Sequence, residues 1–217
     1  MSNDMLSVTK PPPMVMTDLG PVFDALAVAK RRFEEISNVE IIFEVIPPWT
    51  AWVIDVNRVW SRLGEVMATG KYAAMYGRLK KERKDDPLLR YVYQSRHHAE
   101  HRSDPLAEIT CQLEAMGAPI EGFEFYPIVT DNFGVTQRSG GGPARAQKMT
   151  NLEFKFLPVV NEGVIFDPPL THLGRPLTDH TPSEYSTLVM AYLDNQIEAI
   201  KSELISDARK RAGMLPL

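Results

Sequence analysis

Between Trp49 and Met67 the large apolar residues recur at helical spacing: Trp49, Trp52, Val53, Val56, Trp60, Leu63 and Met67. That period draws one broad apolar face along a helix, and the face carries all three tryptophans of the chain. Indole rings bury so much surface that such a helix must sit inside a layer of other elements. A row of Trp can also serve as a platform for bases or sugars, but helical spacing assigns this one to the core. The chain is therefore expected to be built around a helical core.

Other signals place the partners of that helix. Residues 1–16 lack periodicity, contain Pro11-Pro12-Pro13, and read as an N-terminal tail. A helix is expected over 18–37, with Thr17 or Asp18 as its cap and Pro21 in its first turn. The β-branched run from Val39 to Ile46, stopped by Pro47-Pro48, predicts a short strand. Residues 71–84 continue helically with Tyr72, Met75, Tyr76 and Leu79 inward. Asp85 or Asp86 ahead of Pro87 then starts a further helix that ends at Ser103-Asp104-Pro105.

Beyond Pro105 the pattern changes to alternation, at Ile109, Cys111 and Leu113, at Phe123 and Phe125, and at Leu152, Phe154 and Phe156. Asn161-Glu162-Gly163 marks a hairpin between residues 152–160 and 164–166. Residues 167–181 read as an irregular bridge. Thr181-Pro182-Ser183-Glu184 is a capping box with proline at the first helical position, opening a helix to about Arg211. Its long apolar face must be covered by the sheet, by the helical part or by a partner subunit. The expectation is an α+β fold: an N-terminal helical bundle, a small antiparallel sheet and a long C-terminal helix. Its parts are a tail (1–16), a helical part (17–105), and sheet plus helix (106–217), with one core open to both.

The net charge of −4 weighs against tight nonspecific nucleic-acid binding, which needs an excess of Lys and Arg to displace counterions. A local basic site remains in the run from Arg78 to Lys84, where Lys80, Lys81 and Lys84 are candidate phosphate contacts and, equally, a solvated helix end. Ser139-Gly140-Gly141-Gly142-Pro143 lacks the ending of a P-loop and reads as a hairpin loop. A single cysteine, Cys111, excludes an intramolecular disulfide and any multi-cysteine zinc site. With no signal-like segment and no membrane-length apolar run in view, a cytoplasmic location is expected.

Three of the five histidines crowd into His97, His98 and His101 near the end of the helix that Pro87 opens. Arg96, the polar His97, three further residues and His101 form the pattern Arg-polar-x-x-x-His. This resembles the motif of the HEPN family, compact helical bundles that include many metal-independent RNases. The resemblance covers residues 18–104 at most. It implies His101 as general acid or base, Arg96 stabilising charge on phosphorus, His97 orienting the pair, RNA as partner, a homodimer and no cofactor. The chemistry suits these residue types, because imidazole exchanges protons near neutrality and guanidinium matches phosphate geometry. At about 100° per residue, however, positions five apart diverge by about 140° on a regular helix, so Arg96 and His101 meet only if the helix bends or the arginine wraps round it.

Two other readings compete. His97 and His101, four apart, share a face with Glu100, and His97-His98-Ala99-Glu100-His101 spells His-x-x-Glu-His, the inverted zincin pattern. That alternative makes His97, Glu100 and His101 a zinc site. It wants a helical glutamate downstream, and no Glu lies between Glu162 and Glu184. A different metal site would recruit His172, His180 or Asp179. The remaining reading is structural: histidines favour a helix C-terminus, and Arg96 or Arg102 pairs with Glu100 at the surface, leaving a noncatalytic interaction protein.

Overall fold

The computed structural model describes residues 16–101, 105–116, 124–125, 128–130, 136–138, 142–143 and 146–212, with side chains described for 18–101, 105–110 and 153–212. The tail before Met16 and most of the glycine-rich loop lie outside the described residues. The fold is α+β: helices, small antiparallel hairpins and a long C-terminal helix.

A 3-10 turn (Met16–Leu19) leads into α1 (Gly20–Ser37). The cap position falls on Leu19, one or two residues later than expected, and its side chain has no polar group to offer; Pro21 does occupy the first turn. Val22, Leu26, Ala29 and Ile36 are its buried stripe, laid against α2 (Ile46–Met67). The stretch expected as a strand, 39–46, is instead a 3-10 turn at Ile42–Glu44 followed directly by α2. The prolines expected to stop a strand start a helix. Pro47 and Pro48 lie in its first turn, where the amide hydrogens they lack would have had no intrahelical acceptor.

On α2 the tryptophans are core, as their spacing predicts: Trp49, Trp52 and Trp60 are fully or almost fully buried. Asn57, buried on the same helix, donates from Nδ2 to the carbonyls of Val53 at 2.8 Å and Val92 at 3.3 Å. A further 3-10 turn (Gly70–Tyr72) precedes α3 (Ala73–Asp85), and α4 (Pro87–His101) follows after the single residue Asp86.

Two longer strands follow α4 in the chain, β1 (Ala107–Met116) and, later, β6 (Ala146–Phe156), which pair with each other. Between them β2 (Glu124–Phe125) pairs with β5 (Gly142–Pro143), and β3 (Ile128–Thr130) with β4 (Thr136–Arg138). After β6 come two hairpins, β7 (Val159–Asn161) with β8 (Val164–Phe166), and β9 (Thr171–His172) with β10 (Arg175–Pro176). The first was legible from Asn161-Glu162-Gly163. The second lies in the stretch expected to be irregular, where Leu173 and Gly174 form the turn with φ of 48° and 76°. A leucine there is strained and carries no turn signal.

α5 (Pro182–Arg211) starts at the expected capping box: the Thr181 hydroxyl accepts from the Glu184 N–H at 3.1 Å. Glu184 reaches back further than the simple motif, accepting from the N–H groups of Thr178, Asp179 and His180 and from the Thr178 hydroxyl. The long face of α5 is covered by the helical part, with Val189, Leu193, Ile197 and Ile200 buried. Two compact units result. One is drawn from the chain up to Glu108 and from Lys155 onward, the other is Ile109–Phe154. α5 lies in the first of these units, with the helices α1–α4.

Asp86 is the polar tie in that unit. Its Oδ1 accepts from the Leu89 N–H at 2.8 Å, capping α4, and from His172 Nδ1 at 3.0 Å, while Oδ2 accepts from the Leu173 N–H at 2.6 Å. Burial favours its neutral form, but these hydrogen bonds outweigh that and hold the carboxyl below its ordinary value. A folded-state pKa below the unfolded one means that the contribution is full above about pH 4 and is lost as pH falls through the depressed value. Asp86→Asn is expected to cost about 2 kcal/mol at neutral pH. In urea denaturation the gap to the native chain should narrow as the pH is lowered from about 7 to about 3, below the ordinary carboxylate value.

Candidate functional site

α4 presents three distinct faces. Leu88, Leu89, Tyr91, Val92 and Ser95 are buried in the helical core. A second face docks the β7–β8 hairpin. Gln94 Oε1 accepts from Asn161 Nδ2 at 2.7 Å, and the nearly fully buried His98 faces the Val160 N–H across 3.4 Å through Nδ1. The third face carries Tyr93, Arg96, His97, Glu100 and His101, none of them buried. Their spacing of three and four residues places them in one strip.

Within that strip the helix stays regular through His101. Arg96 Nε donates to Glu100 Oε2 at 2.8 Å, one turn ahead, with both side chains about one-third exposed. The rings of His97 and His101 stack, centroids 6.4 Å apart and planes 23° apart, and Tyr93 meets His97 edge-on at 5.8 Å. The Arg83 guanidinium of α3 lies 3.9 Å from the centre of the Tyr93 ring, and also approaches Trp60 at 5.1 Å. The helix therefore brings His97 and His101 together and gives Arg96 to Glu100. His98, the third member of the cluster, is an element of packing.

Lys80, Lys81 and Lys84 are carried by α3, with Lys80, Lys81 and Lys84 all exposed. Lys80 Nζ lies 5.9 Å over the Tyr76 ring, and no ion pair engages Lys81 or Lys84 among the described residues. They form a basic face, joined to the α4 strip through Arg83 on Tyr93. For the zinc alternative, no group of three or more His, Cys, Asp or Glu is placed to hold a metal ion among the described residues. His97 and His101 would supply two ligands, with Glu100 turned to Arg96. His172 is committed to Asp86, and His180 Nδ1 lies 3.3 Å from the Tyr185 hydroxyl.

Sequence reasoning missed a second feature. A cavity of about 420 Å³, open to solvent, is lined by Pro87, Arg90 and Tyr91 at the start of α4 and by Val164–Thr171. The two stretches that build it lie far apart in the chain, and nothing local announces the meeting. No helix among the described residues is long and apolar enough to cross a membrane. Comparison with family models, with curated proteins and with solved structures finds no match.

The division of α4 into faces has a measurable consequence. His98→Ala should destabilise the protein by about 1–3 kcal/mol, because it leaves the Val160 N–H without its imidazole acceptor. His97→Ala and Glu100→Ala should stay within about 0.5 kcal/mol, since both side chains are at the surface. Thermal and urea denaturation of the three variants would show whether the cluster divides in this way.

Proposed function

We propose that the outward strip of α4 is an RNA-cleaving site of HEPN type, in which His97 and His101 form the acid–base pair and Arg96 meets the phosphate. The observation that carries this reading is the stacked pair of accessible imidazoles, 6.4 Å apart with Arg96 on the same strip. Two such rings bracket a phosphodiester from one side. One imidazole takes the proton of the ribose 2′-hydroxyl as the oxygen attacks phosphorus. The other gives a proton to the departing 5′-oxygen, leaving a 2′,3′-cyclic phosphate and a free 5′-hydroxyl.

Arg96 has to leave Glu100 to do its part. A surface pair of this kind is worth under about 1 kcal/mol, and a phosphate offers the guanidinium a bidentate partner instead. Lys80, Lys81 and Lys84 add positive potential on the neighbouring helix without base readout, which fits a site that holds backbone more than sequence. The orienting role that the motif gives His97 passes to Tyr93, whose ring meets that imidazole edge-on.

The test is cleavage of single-stranded RNA in the presence of chelator. His97→Ala and His101→Ala are each expected to lose about 10²–10⁴-fold in rate with the fold intact, as removal of a general acid or base does. Glu100→Ala should retain or gain activity, because it frees Arg96. A native chain that cleaves no RNA, or histidine variants that cleave as well as it does, would overturn the proposal. The noncatalytic alternative is favoured by a separate observation: Val164, Ile165, Leu170 and Leu173 are large apolar side chains left exposed on the hairpins that pack against the same helix.

A further inference from the structure

The β7–β8 hairpin has one covered edge and one open edge. Its register pairs Val159 with Phe166, Val160 with Ile165 and Asn161 with Val164, across the two-residue turn Glu162-Gly163. In such a hairpin the residues flanking the turn exchange both hydrogen bonds, the next pair exchanges none, and the third exchanges both again. Val160 and Ile165 are that middle pair, so their N–H and C=O groups point outward, away from each other. On the β7 side the Val160 N–H points to His98 of α4. On the β8 side the Ile165 N–H and C=O have no counterpart among the described residues.

That edge is three residues long and ends at Asp167-Pro168, but within it β8 reads Val164-Ile165-Phe166, with no lysine or proline, and Val164 is 54% and Ile165 65% exposed. The adjoining groove contains one cation and one anion, Arg90 and Asp167, and neither has an ion-pair partner among the described residues. A groove holding one unpaired charge of each sign beside an outward N–H and C=O on one residue is self-complementary. Such a surface is what an isologous two-fold contact requires.

We infer that this edge and groove are the interface of a homodimer, in which β8 pairs antiparallel with β8 of a second copy of the chain. Ile165 sits at the two-fold axis and exchanges both hydrogen bonds with its own counterpart. Arg90 of each copy faces Asp167 of the other, and the exposed Val164, Ile165 and Leu170 are covered together. The interface meets α4 at Arg90, two turns before His97, and uses none of the residues of the histidine strip, so it stands whether or not that strip cleaves RNA.

The experiment is sedimentation of the 217-residue chain and of charge-reversed variants at a chain concentration well above that of a micromolar dimer. The native chain should be a dimer. Arg90→Asp and Asp167→Arg should each be monomeric, weakened about 100-fold or more, because each opposes like charges twice across the axis. An equimolar mixture of the two variants should restore a heterodimer, since both charge contacts across the axis then join opposite signs again. Ile165→Pro, which deletes only the outward N–H and leaves the hairpin ladder whole, should also give a monomer. A monomeric native chain, single variants that dimerise as the native chain does, or a mixture that stays monomeric would each overturn the inference. Arg90 and Asp167 are both exposed, so each variant is expected to keep the fold, which its far-UV circular dichroism and thermal transition check beside the native chain.

Discussion

The packing of the helical unit converges on one ring, Phe156. It stacks on Tyr185 of α5 with centroids 4.3 Å apart and planes at 9°, and it meets Trp49 of α2 at 5.1 Å and Tyr91 of α4 at 6.1 Å. Trp49 in turn stacks on Trp52 at 5.0 Å. Rings in offset and edge-on contact contribute about 0.5–1.5 kcal/mol per pair beyond the area they bury. Three helices far apart in the chain thus share one aromatic centre, and the last residue of β6 fills it. The hydroxyls at its rim are used as well. Tyr91 donates to the Leu157 carbonyl at 2.7 Å and Tyr185 to the Pro169 carbonyl at 3.0 Å, so the chain leaving β6 and the chain entering β9 are tied to the same cluster.

That arrangement explains why the two hairpins after β6 lie where they do although they have few buried residues of their own. Each is anchored by polar contacts to α4 or to its cap. Asn161 bonds Gln94 and Val160 meets His98, while His172 and the Leu173 N–H converge on Asp86. Asp86 both caps α4 and receives β9–β10, so a single buried carboxylate sets the helix start and the hairpin position together. α4 is held along its length by these ties, and a helix so held has no reason to break at His98.

The elements legible in the sequence were those whose cause is local. The Trp49–Met67 stripe, the Pro87 start, the Asn161-Glu162-Gly163 turn and the Thr181–Glu184 box each state their structure within a few residues, and each formed. The failures have one character. Val39–Ile46 has strand-like composition, but strand formation depends on a neighbouring strand to pair with, and helix formation from Pro47 does not. Leu173-Gly174 turns where Asp86, 87 residues away, holds the Leu173 N–H. At the candidate site, positions five apart diverge by about 140° on a regular helix, which leaves two alternatives, a bend or a regular helix. What lay beyond a single stretch was the answer, because it depends on Val160, Asn161 and His172 arriving from the chain that follows β6.

A straight α4 also decides what kinds of chemistry the strip supports. Residues five apart cannot converge on it, so Arg96 and His101 of one helix do not form a two-residue site by themselves. Residues four apart do converge, and both available pairs have formed: Arg96 with Glu100, and His97 with His101. The first is a charge pair that a stronger anion displaces, and the second is a pair of proton carriers without a fixed third ligand. An anion arriving at this strip would meet two imidazoles already aligned and a guanidinium held one turn away by a weak partner. The regularity that keeps Arg96 and His101 apart is thus the same property that aligns the imidazoles of His97 and His101.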